Sequence, residues 1–77
     1  MARANGSKKS SILSAFAKKV KMRRHELELT QEELAEEANL HVNYIGGIER
    51  GERNLSYEKI IDLAHALKLS PKDLMPG

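Results

Sequence analysis

The segment from residue 30 to residue 51, TQEELAEEANLHVNYIGGIERG, constrains the fold most, because it carries the start and stop signals of two short helices. Thr30 is a typical N-cap, and Glu33 stands three residues later, as a capping box requires. Asn39 is placed to end the first helix in a left-handed conformation, and Gly51 is placed to end the second. The segment therefore predicts two helices joined by a tight turn.

The apolar residues of each helix fall on one face. The inward side chains of the first helix are predicted to be Leu34, Ala35 and Ala38. At about 100° per residue, Ile45 and Ile48 define the buried side of the second helix. The opposite side is predicted to face outward and consists of Asn43, Gly46, Gly47 and Arg50. Each glycine inside a helix costs about 1 kcal/mol relative to alanine, so we expect this bare face to lie close to a flat or grooved surface.

These residues resemble the lambda-repressor-like (Xre-type) helix-turn-helix DNA-binding domains. The matching pieces are the motif LTQEELA, the inward residues Leu40, Ile45 and Ile48, and the run YIGGIERGERN. The resemblance covers about residues 16 to 75 and implies an all-α, compact five-helix domain. The segment IERGERNLS is also similar to stand-alone controller proteins of restriction–modification systems, but many other Xre regulators share it, so the narrower group stays open.

Composition agrees with a helical domain. The 77 residues allow one small domain, and the aromatic residues are only Phe16, Tyr44 and Tyr57, which predicts an aliphatic core. The absence of cysteine excludes disulfides and thiolate metal sites. No apolar run is long enough to span a bilayer, so we expect a cytoplasmic protein without a membrane partner.

The rest of the chain divides into an arm and a domain. Residues 1–9 lack periodicity and are predicted to form a flexible N-terminal arm, and residues 10–77 form the domain. Ser10 or Ser11 can cap the first helix, Ser56 a fourth, and Pro71 can open a short last helix. The apolar side of the fourth helix is predicted to consist of Ile60, Ile61, Leu63, Ala64 and Leu67. Glu28 stands where the family usually has glycine, so the turn there needs another geometry or a strained residue.

Charge is distributed unevenly along the chain. The first 24 residues contain eight Lys or Arg and no acid, whereas residues 25–52 contain eight Glu and one Arg. The basic end suits an anionic partner, although a solvated lysine-rich helix would give the same pattern.

No pattern indicates an enzyme, a metal site, a cofactor or a small-molecule ligand. His25, His41 and His65 stand in three different elements and lack the spacing of metal ligands. The glutamates of the first motif helix are too evenly spread for an acid–base pair.

Double-stranded DNA is the predicted partner. The second motif helix, about His41 to Arg50, would enter the major groove with its N-terminal residues near the base edges. Asn43 can pair with adenine and Val42 can contact a thymine methyl, although Asn43 could also be a solvated residue. The predicted base contacts are His41, Val42, Asn43, Gly46 and Gly47. The predicted backbone contacts are Gln31, Tyr44, Arg50, Arg53 and Asn54, although Arg53 could also be a solvated loop charge.

The resemblance also implies an ion pair between Arg24 and Glu49 that pins the first helix to the recognition helix. We expect this pair to be structural rather than a DNA contact.

A homodimer is predicted because one recognition helix covers too few base pairs to single out a genomic site. The candidate interface residues are Ile61, Leu69, Leu74 and Met75, with Leu55 and Tyr57 at the edge. Alternatively, most of them complete the core. The predicted function is a sequence-specific transcriptional regulator that binds an inverted-repeat operator. The alternative is a protein-interaction module or antitoxin-like partner with the same fold.

Overall fold

The structure, a computed structural model, describes the backbone of residues 3–75 and the side chains of residues 12–75. Over these residues all the regular secondary structure is helical, with no strand, which confirms the predicted all-α five-helix fold. The helices are α1 (Arg3–Glu26), α2 (Gln31–Ala38), α3 (Val42–Glu49), α4 (Tyr57–Ala66) and α5 (Pro71–Leu74). Within residues 3–75, no helix is both long and apolar enough to cross a membrane.

The signals that delimit α2 act as predicted. The Glu33 backbone N–H donates to Thr30 Oγ1 at 3.0 Å, and the Thr30 N–H donates to Glu33 Oε1 at 2.8 Å, which completes the capping box. Asn39 ends α2 in the left-handed region with φ of 58°. Gly51, with φ of 74°, follows the end of α3. Each helix of the motif therefore begins or ends at a residue whose chemistry favours that boundary.

The first helix differs from its predicted bounds at the N-terminus. It begins at Arg3, seven residues before Ser10, so residues 3–9 lie within α1. The flexibility predicted for residues 1–9 stays a prediction. At the other end, Glu28 adopts a φ of 58°, so of the two predicted alternatives the turn before α2 takes the second and places a non-glycine residue in the left-handed region.

One core joins all five helices. Its fully buried larger side chains come from every helix: Val20, Leu34, Ile45, Ile48, Leu63, Leu67 and Leu74. α3 packs against α1 and α2, while α5 packs against α1 and α4. This arrangement fixes α3 at the surface with Ile45 and Ile48 inward, as predicted.

Leu74 and Ile61 were each candidates for the core or for the dimer interface, and their burial separates them. Leu74 was expected to be available to a partner, but it is 0% exposed and completes the core between α1, α4 and α5. Ile61 was expected on the apolar side of α4 and was also an interface candidate. It is 38% exposed, so it does not share the buried side formed by Leu63, Ala64 and Leu67.

Candidate nucleic-acid interface

α3 begins with a histidine cap. His41 has extended backbone angles, and its Nδ1 accepts a hydrogen bond from the Asn43 backbone N–H at 3.1 Å. A histidine can accept in this way only while Nδ1 is unprotonated, which places the proton of the neutral ring on Nε2. Nε2 is therefore the nitrogen with which His41 can donate to a partner.

The first turn of α3 presents Asn43 to solvent. Asn43 is exposed, whereas Val42 is partly buried and packs against the core. An amide at this position of a surface helix is free to approach a base edge. Asn43 is therefore better placed for base contact than Val42.

The sequence predicted that Gly46 and Gly47 form a bare outer face. In the structure both glycines are buried beneath polar side chains. A Cβ added to Gly46 would lie 3.1 Å from Arg50 Nη1 and 3.8 Å from Gln31 Oε1. A Cβ added to Gly47 would lie 2.8 Å from Arg53 Cγ. The expected open outer face was wrong, because the room that the glycines leave is filled by these long side chains.

Glu49, at the end of α3, ties three elements together. It accepts hydrogen bonds from Arg24 Nε at 2.6 Å, Arg24 Nη2 at 3.0 Å and Gln31 Nε2 at 3.0 Å. Arg24 also donates from Nη1 to the Leu29 carbonyl oxygen at 2.8 Å. The structure thus brings Arg24 and Glu49 together, and it holds the Gln31 amide against Glu49.

Electrostatics keep both members of this pair charged. Burial alone would raise the pKa of Glu49, but the hydrogen bonds from Arg24 and Gln31, with the charges of Arg24 and Lys21, outweigh burial and lower that pKa. The hydrogen bond to Glu49 raises the pKa of Arg24 against the opposing effect of burial. The pair is therefore ionised at neutral pH and holds α1 on α3.

Two of the remaining predicted backbone contacts, Arg53 and Asn54, lie against Tyr44. The Tyr44 hydroxyl donates to the Asn54 carbonyl oxygen at 3.4 Å, and the Arg53 guanidinium carbon lies 5.2 Å from the ring centroid. Arg50 is exposed and its Nε lies 3.1 Å from Glu52 Oε1. Exposed ion pairs of this kind contribute little to stability, so Arg50 can exchange Glu52 for another anion at small cost.

One open groove is lined by four of the predicted DNA contacts. Its polar side chains include His41, Asn43, Tyr44, Arg53 and Lys59, and Asn39 and Leu40 complete its wall. Lys59 was absent from the predicted contacts, because it belongs to α4 and no spacing in the sequence links it to α3. No group of three or more metal-ligating side chains occurs in the part of the chain that the structure describes.

The predicted dimer residues do not all reach the surface. Tyr57, Ile61 and Met75 are exposed, whereas Leu55 and Leu69 are partly buried against the core. Tyr57 and Ile61 stand four residues apart on α4 and so share one face of that helix.

Comparison with known proteins identifies the motif. The helix-turn-helix family matches residues 20–74. The control protein C.BamHI of Bacillus amyloliquefaciens is 42% identical over 67 residues, which cover 86% of this chain and 83% of that protein. The control protein C.SmaI of Serratia marcescens is 42% identical over 64 residues, which cover 83% of this chain and 76% of that protein.

Solved structures support the same assignment. The restriction-modification controller protein C.AhdI from Aeromonas hydrophila superposes with a TM-score of 0.79 at 40% identity and covers 82% of this chain and 96% of its own. The clp gene regulator ClgR from Corynebacterium glutamicum gives a TM-score of 0.77 at 28% identity, over 82% of this chain and 67% of its own. The chain therefore belongs to the Xre-type helix-turn-helix family of DNA-binding transcription regulators, not to a family of enzymes, and it is similar to the restriction–modification controller proteins.

Proposed function

We propose that this protein binds an inverted-repeat operator as a homodimer and regulates transcription there, as a controller within a restriction–modification system. The observation that carries the proposal is the exposed amide of Asn43 on the first turn of α3, beside a groove that also holds Arg53 and Lys59. A base-contacting amide beside cations that suit phosphates is the combination that sequence-specific DNA binding needs.

In this proposal the N-terminus of α3 enters the major groove. Asn43 pairs with a base, His41 donates from Nε2 to a base or phosphate, and Val42 contacts a thymine methyl. Gly46 and Gly47 act through the side chains that cover them.

The DNA backbone would be held from both ends of the motif. Tyr44, Arg50, Arg53 and Asn54 would contact phosphates from the α3 side of the groove. Gln31 would contribute the backbone N–H of the first residue of α2, since its amide is engaged by Glu49.

The exposed face of α4 supports dimerisation. Tyr57 is 72% exposed and Ile61 is 38% exposed, so a small domain leaves two large apolar side chains in water on one helix face. We propose this face as the centre of the interface, and Leu69 and Met75 remain further candidates for it. A two-fold axis would then set two copies of α3 on half-sites about one helical turn apart.

Selection of bound duplexes from a random DNA pool tests the proposal. An enriched inverted repeat would support both sequence-specific binding and two-fold symmetry. Enrichment of a single half-site would contradict the dimer, and no enrichment above a pool carried through without protein would contradict DNA recognition itself.

A further inference from the structure

The stem of Arg53 lies directly on Gly47. A Cβ on Gly47 would stand 2.8 Å from Arg53 Cγ and 3.2 Å from Nε, both closer than ordinary packing allows, and 3.6 Å from Cδ, an ordinary contact distance. Arg53 can therefore occupy this position only because residue 47 has no side chain. Since a glycine inside a helix costs about 1 kcal/mol relative to alanine, its presence here indicates a use for that room.

The Arg53 guanidinium also lies near the ring of Tyr44, and a second cation lies near the same ring. The Arg53 guanidinium carbon is 5.2 Å from the ring centroid, and Lys59 Nζ, from the first turn of α4, is 5.7 Å from it. Both distances fall within the range of cation–π attraction. Tyr44 thus attracts two positive charges, one from the loop after α3 and one from α4, and both side chains line the groove beside the start of α3.

These two charges have no carboxylate beside them in the groove. None of the seven residues that line it is acidic. Within the described residues, the ion pairs are Arg23–Glu26, Arg24–Glu49 and Arg50–Glu52. The groove therefore carries two positive charges without a neutralising carboxylate, and such an arrangement attracts an anion.

We propose that Tyr44, Arg53 and Lys59 form a clamp for one DNA phosphate. In this proposal Gly47 is a positioning residue, because the room that it leaves allows Arg53 to lie in the clamp. The proposal rests on the proposed DNA binding and deepens it. It adds Lys59 as a backbone contact and assigns Gly47 a role through Arg53 instead of through close approach to DNA.

A double-mutant cycle tests whether Gly47 positions Arg53. Binding to the selected duplex is measured for the parent, Gly47→Ala, Arg53→Ala and the double variant, by fluorescence anisotropy. We expect Gly47→Ala to weaken binding about five- to tenfold in the parent, as the loss of one phosphate contact at 0.1 M salt would, and by less than about twofold in the Arg53→Ala background.

Two results would show that Gly47 does not position Arg53. If Gly47→Ala weakens DNA binding equally in both backgrounds, Gly47 contacts the DNA itself. If it weakens DNA binding in neither, Arg53 does not depend on Gly47 for its position. Alanine favours a helix over glycine, so Gly47→Ala should melt at or above the parent temperature. A lower melting temperature would show that Arg53 cannot move aside and would also contradict the proposal.

Lys59 is tested by a matched pair of charge deletions. Lys59→Gln should weaken binding to the selected duplex and to a shuffled duplex by the same factor, about five- to tenfold at 0.1 M salt, and reduce the salt slope by about one. Lys59→Arg should restore both. Lys72→Gln removes the same charge from an exposed site on α5 and should change neither. Equal effects of Lys59→Gln and Lys72→Gln would reject the clamp.

Failure of the clamp is distinguishable from failure of DNA recognition. If the parent prefers no duplex in the selection experiment, the proposed function falls. If the parent prefers one duplex and the Lys59 and Gly47 variants bind it as the parent does, only the proposed phosphate clamp is refuted.

Discussion

The guanidinium of Arg24 meets the carboxylate of Glu49 through two hydrogen bonds, from Nε at 2.6 Å and from Nη2 at 3.0 Å. Arg24 lies in the last turn of α1, and Glu49 is the last residue of α3. Their side chains are 11% and 3% exposed, so water screens the attraction between the two charges little. The recognition helix is therefore fixed to α1 by charge at its C-terminal end and by Ile45 and Ile48 along its length.

Replacing Glu49 should cost more stability than replacing another glutamate. Glu49→Ala leaves the Arg24 charge nearly buried without a partner, a change that costs about 3–5 kcal/mol in comparable pairs. Glu36→Ala is the matched control, since Glu36 is exposed on α2. Thermal unfolding followed by circular dichroism measures both, and equal melting temperatures would remove the structural role of the pair.

The same pair predicts a dependence of stability on pH. The pKa of Glu49 is lowered on folding from its ordinary value of 4.5, so ionised Glu49 stabilises the folded state above that pH. This contribution is lost as pH falls through the lower folded pKa. Urea unfolding between pH 7 and pH 3 should show a steeper acid loss for the parent than for Glu49→Gln. Parallel curves would show that Glu49 does not carry the dependence.

Asn43 should control base preference. Asn43→Ala removes an exposed amide without disturbing the core, so we expect about 1–3 kcal/mol weaker binding to the selected duplex and relaxed preference at one base pair per half-site. Binding to duplexes substituted at each position measures this preference. A uniform loss over all sequences would assign Asn43 to the backbone instead.

The dimer should depend on Ile61 and not on Leu74. Ile61→Glu puts a charge on an exposed face, so the domain should stay folded and become monomeric in analytical ultracentrifugation at micromolar concentration. Leu74→Glu buries a charge in the core and should unfold the chain instead. A parent that sediments as a monomer both free and on its selected duplex would refute the dimer.

The fold could be predicted largely from local chemistry. Thr30, Asn39 and Gly51 each carry a boundary signal that depends only on near neighbours, and Ile45 and Ile48 show their inward side by spacing alone. The N-terminal bound of α1 was missed because neither Ser10 nor Ser11 is required to act as a cap.

The site was less predictable, because its surroundings come from distant parts of the chain. Helical geometry showed that Gly46 and Gly47 turn away from the core, but it could not show that Arg50 and Arg53 would fold back over them. Lys59 reaches Tyr44 only through the packing of α4. Leu74 was placed at the surface because its burial depends on how α5 closes the core, which spacing within a short helix does not reveal.

We expect α3 to give this protein sequence-specific DNA binding. The most direct test is the ratio of affinities for the selected duplex and for a shuffled duplex of the same composition, measured by fluorescence anisotropy at physiological salt. We predict a ratio of at least about a thousand for the parent. A ratio near one for the folded parent would contradict the account.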